Sequence, residues 1–106
     1  MFTVASVETA IEHIVSRPSP LALYVFSASD ATVDAVVNGT CSGGVCVNDV
    51  ILHMLNETLP FGGCGDSGMG AYHGLYGFDA FSHLRTVMTV ENGKPAPAGR
   101  YPPFAP

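Results

Sequence analysis

The sequence predicts an α/β fold built on a parallel sheet, and three observations predict it. Leu21-Ala22-Leu23-Tyr24-Val25-Phe26 is a continuous apolar run held between Pro20 and Ser27, as a strand covered on both faces would be. Gly44-Val45-Cys46-Val47-Asn48 is a second, shorter run of the same kind. Between them Ala31, Val33, Val36 and Val37 recur at helical spacing after Asp30 and end at Asn38-Gly39. Strand, helix and strand with short connections make a βαβ unit, which requires parallel strands.

The remaining elements follow in order. Ser6 is placed to cap a helix whose inner face is Val7, Ala10, Ile11, Ile14 and Val15, and Pro18 stops it. The segment from Asp49 to Leu59 fits a helical turn, a strand or a pocket-lining loop equally well. From Pro60 to Gly74 the chain is dense in glycine, which implies positive φ or a close backbone approach at several points and marks this loop as the first place to look for function. A short helix is expected within Ala71 to Phe81. Leu84-Arg85-Thr86-Val87-Met88-Thr89-Val90 alternates as an edge strand does, and an uncovered edge invites pairing with another subunit. The tail from Glu91 holds five of the eight prolines and is expected to run extended over a surface.

Composition narrows the function. The chain has 106 residues, of which 47% are hydrophobic and only 12% charged, too apolar a surface for a free monomer and a sign of a covering partner. A net charge of −5 without a basic cluster argues against nucleic acid and anionic membrane as partners. No run is long enough to span a bilayer and the N-terminus lacks signal-peptide character, so a cytoplasmic setting is expected. Three cysteines, an odd number, fit reduced thiols better than a disulfide framework.

Several motifs fail in context. Gly65-Asp66-Ser67-Gly68 copies a serine-protease nucleophile signature and His13, His53, His73 and His83 could nominally supply a base, but the two β-barrels and the far-upstream histidine and aspartate of such a protease do not fit a βαβ pattern with so little chain before the motif. Gly63 to Gly68 matches G-x-G-x-x-G, yet neither leaves a strand nor opens a helix as dinucleotide binding demands. Cys41, Cys46 and His53 are too loosely spaced for a zinc knuckle, so no metal site is expected. Cys64, on the glycine loop, is the thiol expected to be accessible, with no neighbouring base in sequence to activate it.

Read together, Pro20 to Ser27, Ser42 to Val50, Leu59 to Gly63, Ser67 to Gly74 and Phe78 to His83 resemble, in order, the C-terminal part of the aldehyde dehydrogenase superfamily. Tyr72-His73-Gly74, Phe81-Ser82-His83 and Arg100-Tyr101-Pro102-Pro103 resemble its class 3, fatty-aldehyde-type branch. The resemblance implies three regions: residues 1–82 as the end of a catalytic domain, 83–90 as an oligomerisation strand that pairs subunits into a homo-oligomer through 85–90, and 91–106 as an extended tail.

The resemblance also implies an NAD- or NADP-dependent oxidation of long-chain or aromatic aldehydes to carboxylic acids. By match to the pattern, Met54, Leu55, Phe61 and His73 line the aldehyde tunnel, with Phe61 also near the nicotinamide. The family's nucleophilic cysteine, glutamate base and cofactor domain are encoded ahead of the matching segment. None of Cys41, Cys46 and Cys64 matches the nucleophile, so no catalytic residue is assigned here and no cofactor is expected to bind this chain alone. The alternative reading is a non-catalytic interaction module that pairs with a full-length aldehyde dehydrogenase.

Overall fold

A computed structural model describes residues 1, 3–95, 99–100 and 102–103. Helix α1 spans Val7–Val15, strand β1 Ala22–Val25, helix α2 Asp30–Gly39, strand β2 Gly44–Val47, helix α3 Leu52–Leu55 and helix α4 Gly74–Ala80. Ser6 caps α1 by accepting from the Thr9 amide at 3.2 Å, and Ser29 caps α2 by accepting from Thr32. Both helices start where a short hydroxyl side chain relieves an otherwise unpaired amide. Strands β1 and β2 pair in parallel with Ala22 beside Gly44 and Val25 beside Val47, and α2 is the crossover. Helix α1 lies on α2, with Ile11 against the bare backbone of Gly39.

The expectation of strands covered on both faces is corrected. Among the described residues only Val25 and Val36 are buried, and Tyr24 in β1 is 40% exposed. Two strands and two packed helices cannot enclose a sheet, and the four-residue helix α3 against β2 adds little cover. The radius of gyration is 23.2 Å, against about 13 Å for a compact domain of this size. The accessible surface of 8714 Å2 likewise exceeds the roughly 5,700 Å2 of a compact protein of this mass. The chain's apolar residues are shaped to be covered by more protein than they bring.

The segment 83–90, expected to form an edge strand, finds no partner strand among the described residues. Residues 82–90 carry no regular secondary structure, with Leu84 at 94% exposure and Met88 at 81%. A strand exists only through its ladder, and the described residues offer this segment no second strand. The ambiguous segment resolves into the four-residue helix α3, and the short helix falls within the expected bounds at Gly74–Ala80. In the tail, 96–98, 101 and 104–106 lie outside the described residues, and Tyr101 of the tail motif with them. Among the described residues no helix is long and apolar enough to cross a membrane.

Candidate functional site

The glycine loop leaves β2 through α3 and returns on itself. Phe61 and Tyr72 close it as an antiparallel bridge, each amide donating to the other's carbonyl at 3.0 and 2.9 Å. Inside the closure, Gly65–Ser67 form a single 3-10 turn, so the G-x-G-x-x-G run opens no α-helix. Two glycines explain the tightness. A Cβ at Gly43 would meet the Gly62 carbonyl and lie 2.6 Å from the Leu21 carbonyl, and one at Gly62 would meet the Gly70 carbonyl and lie 2.9 Å from Ala71 Cα. Backbone thus packs on backbone between the sheet end and the loop, which only glycine permits.

The bridge gathers aromatic rings. Phe61 and His73 stack with centroids 5.9 Å apart and planes 23° from parallel, and Tyr72 meets both edge-on. His53, on α3, stands 5.8 Å from the Tyr24 ring and 5.9 Å from Phe61, and its ring lies against the bare backbone of Gly44. Such offset and edge contacts each add about 0.5–1.5 kcal/mol beyond burial. Next to the cluster, Leu21, Phe61, Met69, Tyr72 and Phe81 help line an open, mainly apolar groove of about 470 Å3.

Two positions at this site hold strained backbone. Ile51, just before α3, has φ 66°, and His73, just before α4, has φ 90°. A β-branched residue in the left-handed region is rare and costs of order 1–3 kcal/mol. The strain aims both short helices, and with them His53 and His73, at the loop. Among the described residues, His53 Nδ1 and Nε2 and His73 Nδ1 are buried atoms without a hydrogen-bond partner. Polar atoms enclosed among rings and lacking partners are costly.

The structure therefore brings together two of the four residues that sequence placed on the pocket, Phe61 and His73. Met54 and Leu55 stand on α3 next to the cluster, 38% and 65% exposed and outside its ring contacts. In the sequence His53 stands out only as a nominal base or metal ligand; its position on the same short helix as Met54, beside Tyr24, needed the fold to appear. Among the described residues no cluster of three metal-ligating side chains exists. The accessible thiol is Cys41 rather than Cys64: Cys41 is exposed, while Cys64 and Cys46 are half-buried. Loop position misled there, because the loop folds back onto the sheet. Desolvation, with the neighbouring Cys41 thiol, pushes the Cys64 thiol above its ordinary value.

A bound flat ring would fit this surface only in part. The face of Phe61 and the apolar groove can take an apolar ring, while among the described residues no lysine or arginine lines the groove to receive phosphates.

Residues 1–87 match the model of the aldehyde dehydrogenase family. The chain is 51% identical over 102 residues to the mouse aldehyde dehydrogenase described as dimeric and NADP-preferring, covering 94% of this chain and 22% of that protein. It is 50% identical over 102 residues to rat aldehyde dehydrogenase family 3 member A2, covering 95% of this chain and 21% of that one. Among solved structures, a substrate-bound state of the Staphylococcus aureus AldH superposes with a TM-score of 0.76 at 40% identity, over 90% of this chain and 22% of that one. The chain thus spans about a fifth of the length of the relatives it matches.

Proposed function

The chain belongs to the aldehyde dehydrogenase family, and from that premise we propose that it forms one wall of the aldehyde pocket and part of the subunit interface of an NAD(P)-dependent enzyme. The observation that carries this is the Phe61–His73 stack, held at the rim of an apolar groove by the Phe61–Tyr72 bridge. A rigid aromatic wall binds long or aromatic aldehydes by burying their apolar surface, at about 25 cal/mol per Å2. Met54 and Leu55 extend that wall along α3 in the assembled enzyme. Phe61 also sets the limit of the nicotinamide end, and the phosphates of the cofactor are held by residues beyond this segment. When bound, the cofactor accepts the hydride that the aldehyde loses. The residues here orient the aldehyde and exclude water; the nucleophilic thiol and the general base are supplied from outside them.

The mouse relative is named as dimeric, and in this reading 85–90 pairs with another subunit. That pairing would cover Val87 and Met88, now 75% and 81% exposed. A cytoplasmic location is part of the reading and rests on the sequence alone. The 106-residue chain by itself is inactive.

The test is aldehyde oxidation with NAD and with NADP, by this chain alone and by a longer protein that carries it. Phe61→Ala in the longer protein should lower kcat/KM for an aromatic aldehyde roughly 10- to 100-fold, the loss of one buried aromatic wall, and affect a two-carbon aldehyde less. Turnover by the 106-residue chain alone, or an equal effect on both aldehydes, would overturn the assignment. A stable inactive chain that co-purifies with a full-length relative would move the function to binding.

A further inference from the structure

Outside the ring cluster, Cys41 Sγ and Cys64 Sγ lie 3.8 Å apart. They sit on two segments that the fold holds against each other. Thr40 ties the end of α2 by donating from its hydroxyl to the Val36 carbonyl at 2.7 Å, and the Gly43 amide donates to the Pro20 carbonyl at 3.0 Å. Gly43 in turn abuts the backbone of Gly62 and Gly63, next to Cys64. The backbone that carries each sulfur is therefore held in place on both sides.

We propose that Cys41 and Cys64 are a redox modification site, a thiol pair that closes reversibly into an intrachain disulfide and fastens the glycine loop to the entry of β2. A disulfide needs sulfurs about 2.05 Å apart, so closure asks for under 2 Å of movement, within reach of side-chain rotation. The co-reactant is a small-molecule disulfide such as oxidised glutathione. Cys41, the exposed thiol, attacks it as thiolate, forming a mixed disulfide and expelling one glutathione thiolate. Cys64, having given up its proton, then attacks the Cys41 sulfur and expels the second. Two cysteine thiols become one disulfide, and two glutathione thiols carry away the two electrons and two protons. Cys46, paired in register with Tyr24 inside β2, is the spectator.

The test treats the protein under native conditions with oxidised glutathione, alkylates what remains, and reads the intact mass. One alkylatable thiol should remain of three, with no retained glutathione and a mass lower by two hydrogens before alkylation. Cys46→Ser should still close its bridge and leave none. Cleavage of that variant after Glu57 should leave the two pieces joined until a reductant is added. Cys41→Ser and Cys64→Ser should each lose the intrachain bridge. Retained glutathione on the unsubstituted protein, disulfide-linked dimers, or an intrachain bridge in either of the last two variants would overturn the proposal. Treatment in urea separates folded proximity from chance: if the bridge forms no faster in the folded protein, the proposal also fails.

Discussion

The side-chain amide of Asn48 grips both backbone polar groups of Ser27. Its Oδ1 accepts from the Ser27 amide at 2.8 Å, and its Nδ2 donates to the Ser27 carbonyl at 3.0 Å, while the Asn48 amide donates to Val25 at 2.7 Å. Asn48 itself has φ 59°, a conformation asparagine tolerates better than most residues. One residue thus mimics a further ladder rung where β1 and β2 stop, and it sets the direction in which the chain leaves for α3 and the site.

Asn48→Ala removes both contacts and leaves a residue poorly suited to that φ. It should lower stability by about 1–3 kcal/mol, read as a lower denaturant midpoint. An unchanged midpoint would mean the amide clamp contributes nothing.

Gly43→Ala should drive the glycine loop off the sheet end, since the new methyl group meets the carbonyls of Leu21 and Gly62 and the Cα of Gly63, all of them backbone atoms that cannot rotate away. The expected cost is about 1–3 kcal/mol, with faster proteolytic cleavage between residues 61 and 72. Equal cleavage rates would show the contact is easily relieved.

His53→Phe keeps a ring between Tyr24 and Phe61 and removes two buried nitrogens that have no partner. In thermal unfolding it should be neutral or stabilising, because an unsatisfied buried polar atom costs about 1–3 kcal/mol. A clear loss of stability would mean the imidazole is hydrogen-bonded in solution.

Val87→Pro deletes a backbone donor that edge pairing would use and leaves the rest of the chain untouched, since residues 82–90 make no secondary structure here. In the longer protein, light scattering should show a smaller assembly. An unchanged mass would remove 85–90 from the interface.

Acid should loosen the first helix. The Glu8 carboxyl is held below its ordinary 4.5 by its own backbone amide and by Ser6 at the start of α1. A carboxyl with a depressed folded pKa contributes stability that is present above the unfolded value and lost as pH falls through the folded one. Helicity should therefore decline below about pH 4.5, and Glu8→Gln should remove that part of the decline. An identical acid profile for the variant would assign it to other groups.

Sequence was sufficient wherever a signal was local. Ser6, the spacing of Val7, Ala10, Ile11, Ile14 and Val15, and Pro18 together determine α1; two apolar runs about a helix determine the parallel βαβ unit; glycine density determines that 60–74 is a shaped loop. Each depends on periodicity or on a φ preference carried by the residues themselves. What only the tertiary structure decided depends on residues distant in sequence. It put His53 between Tyr24 and Phe61, left Met54 and Leu55 at the margin, and turned Cys41 outward beside Cys64. It also left Leu84 to Val90 without a ladder and the sheet only partly covered. A strand needs a second strand and a core needs a second layer, and both are supplied by surfaces that local patterning does not encode.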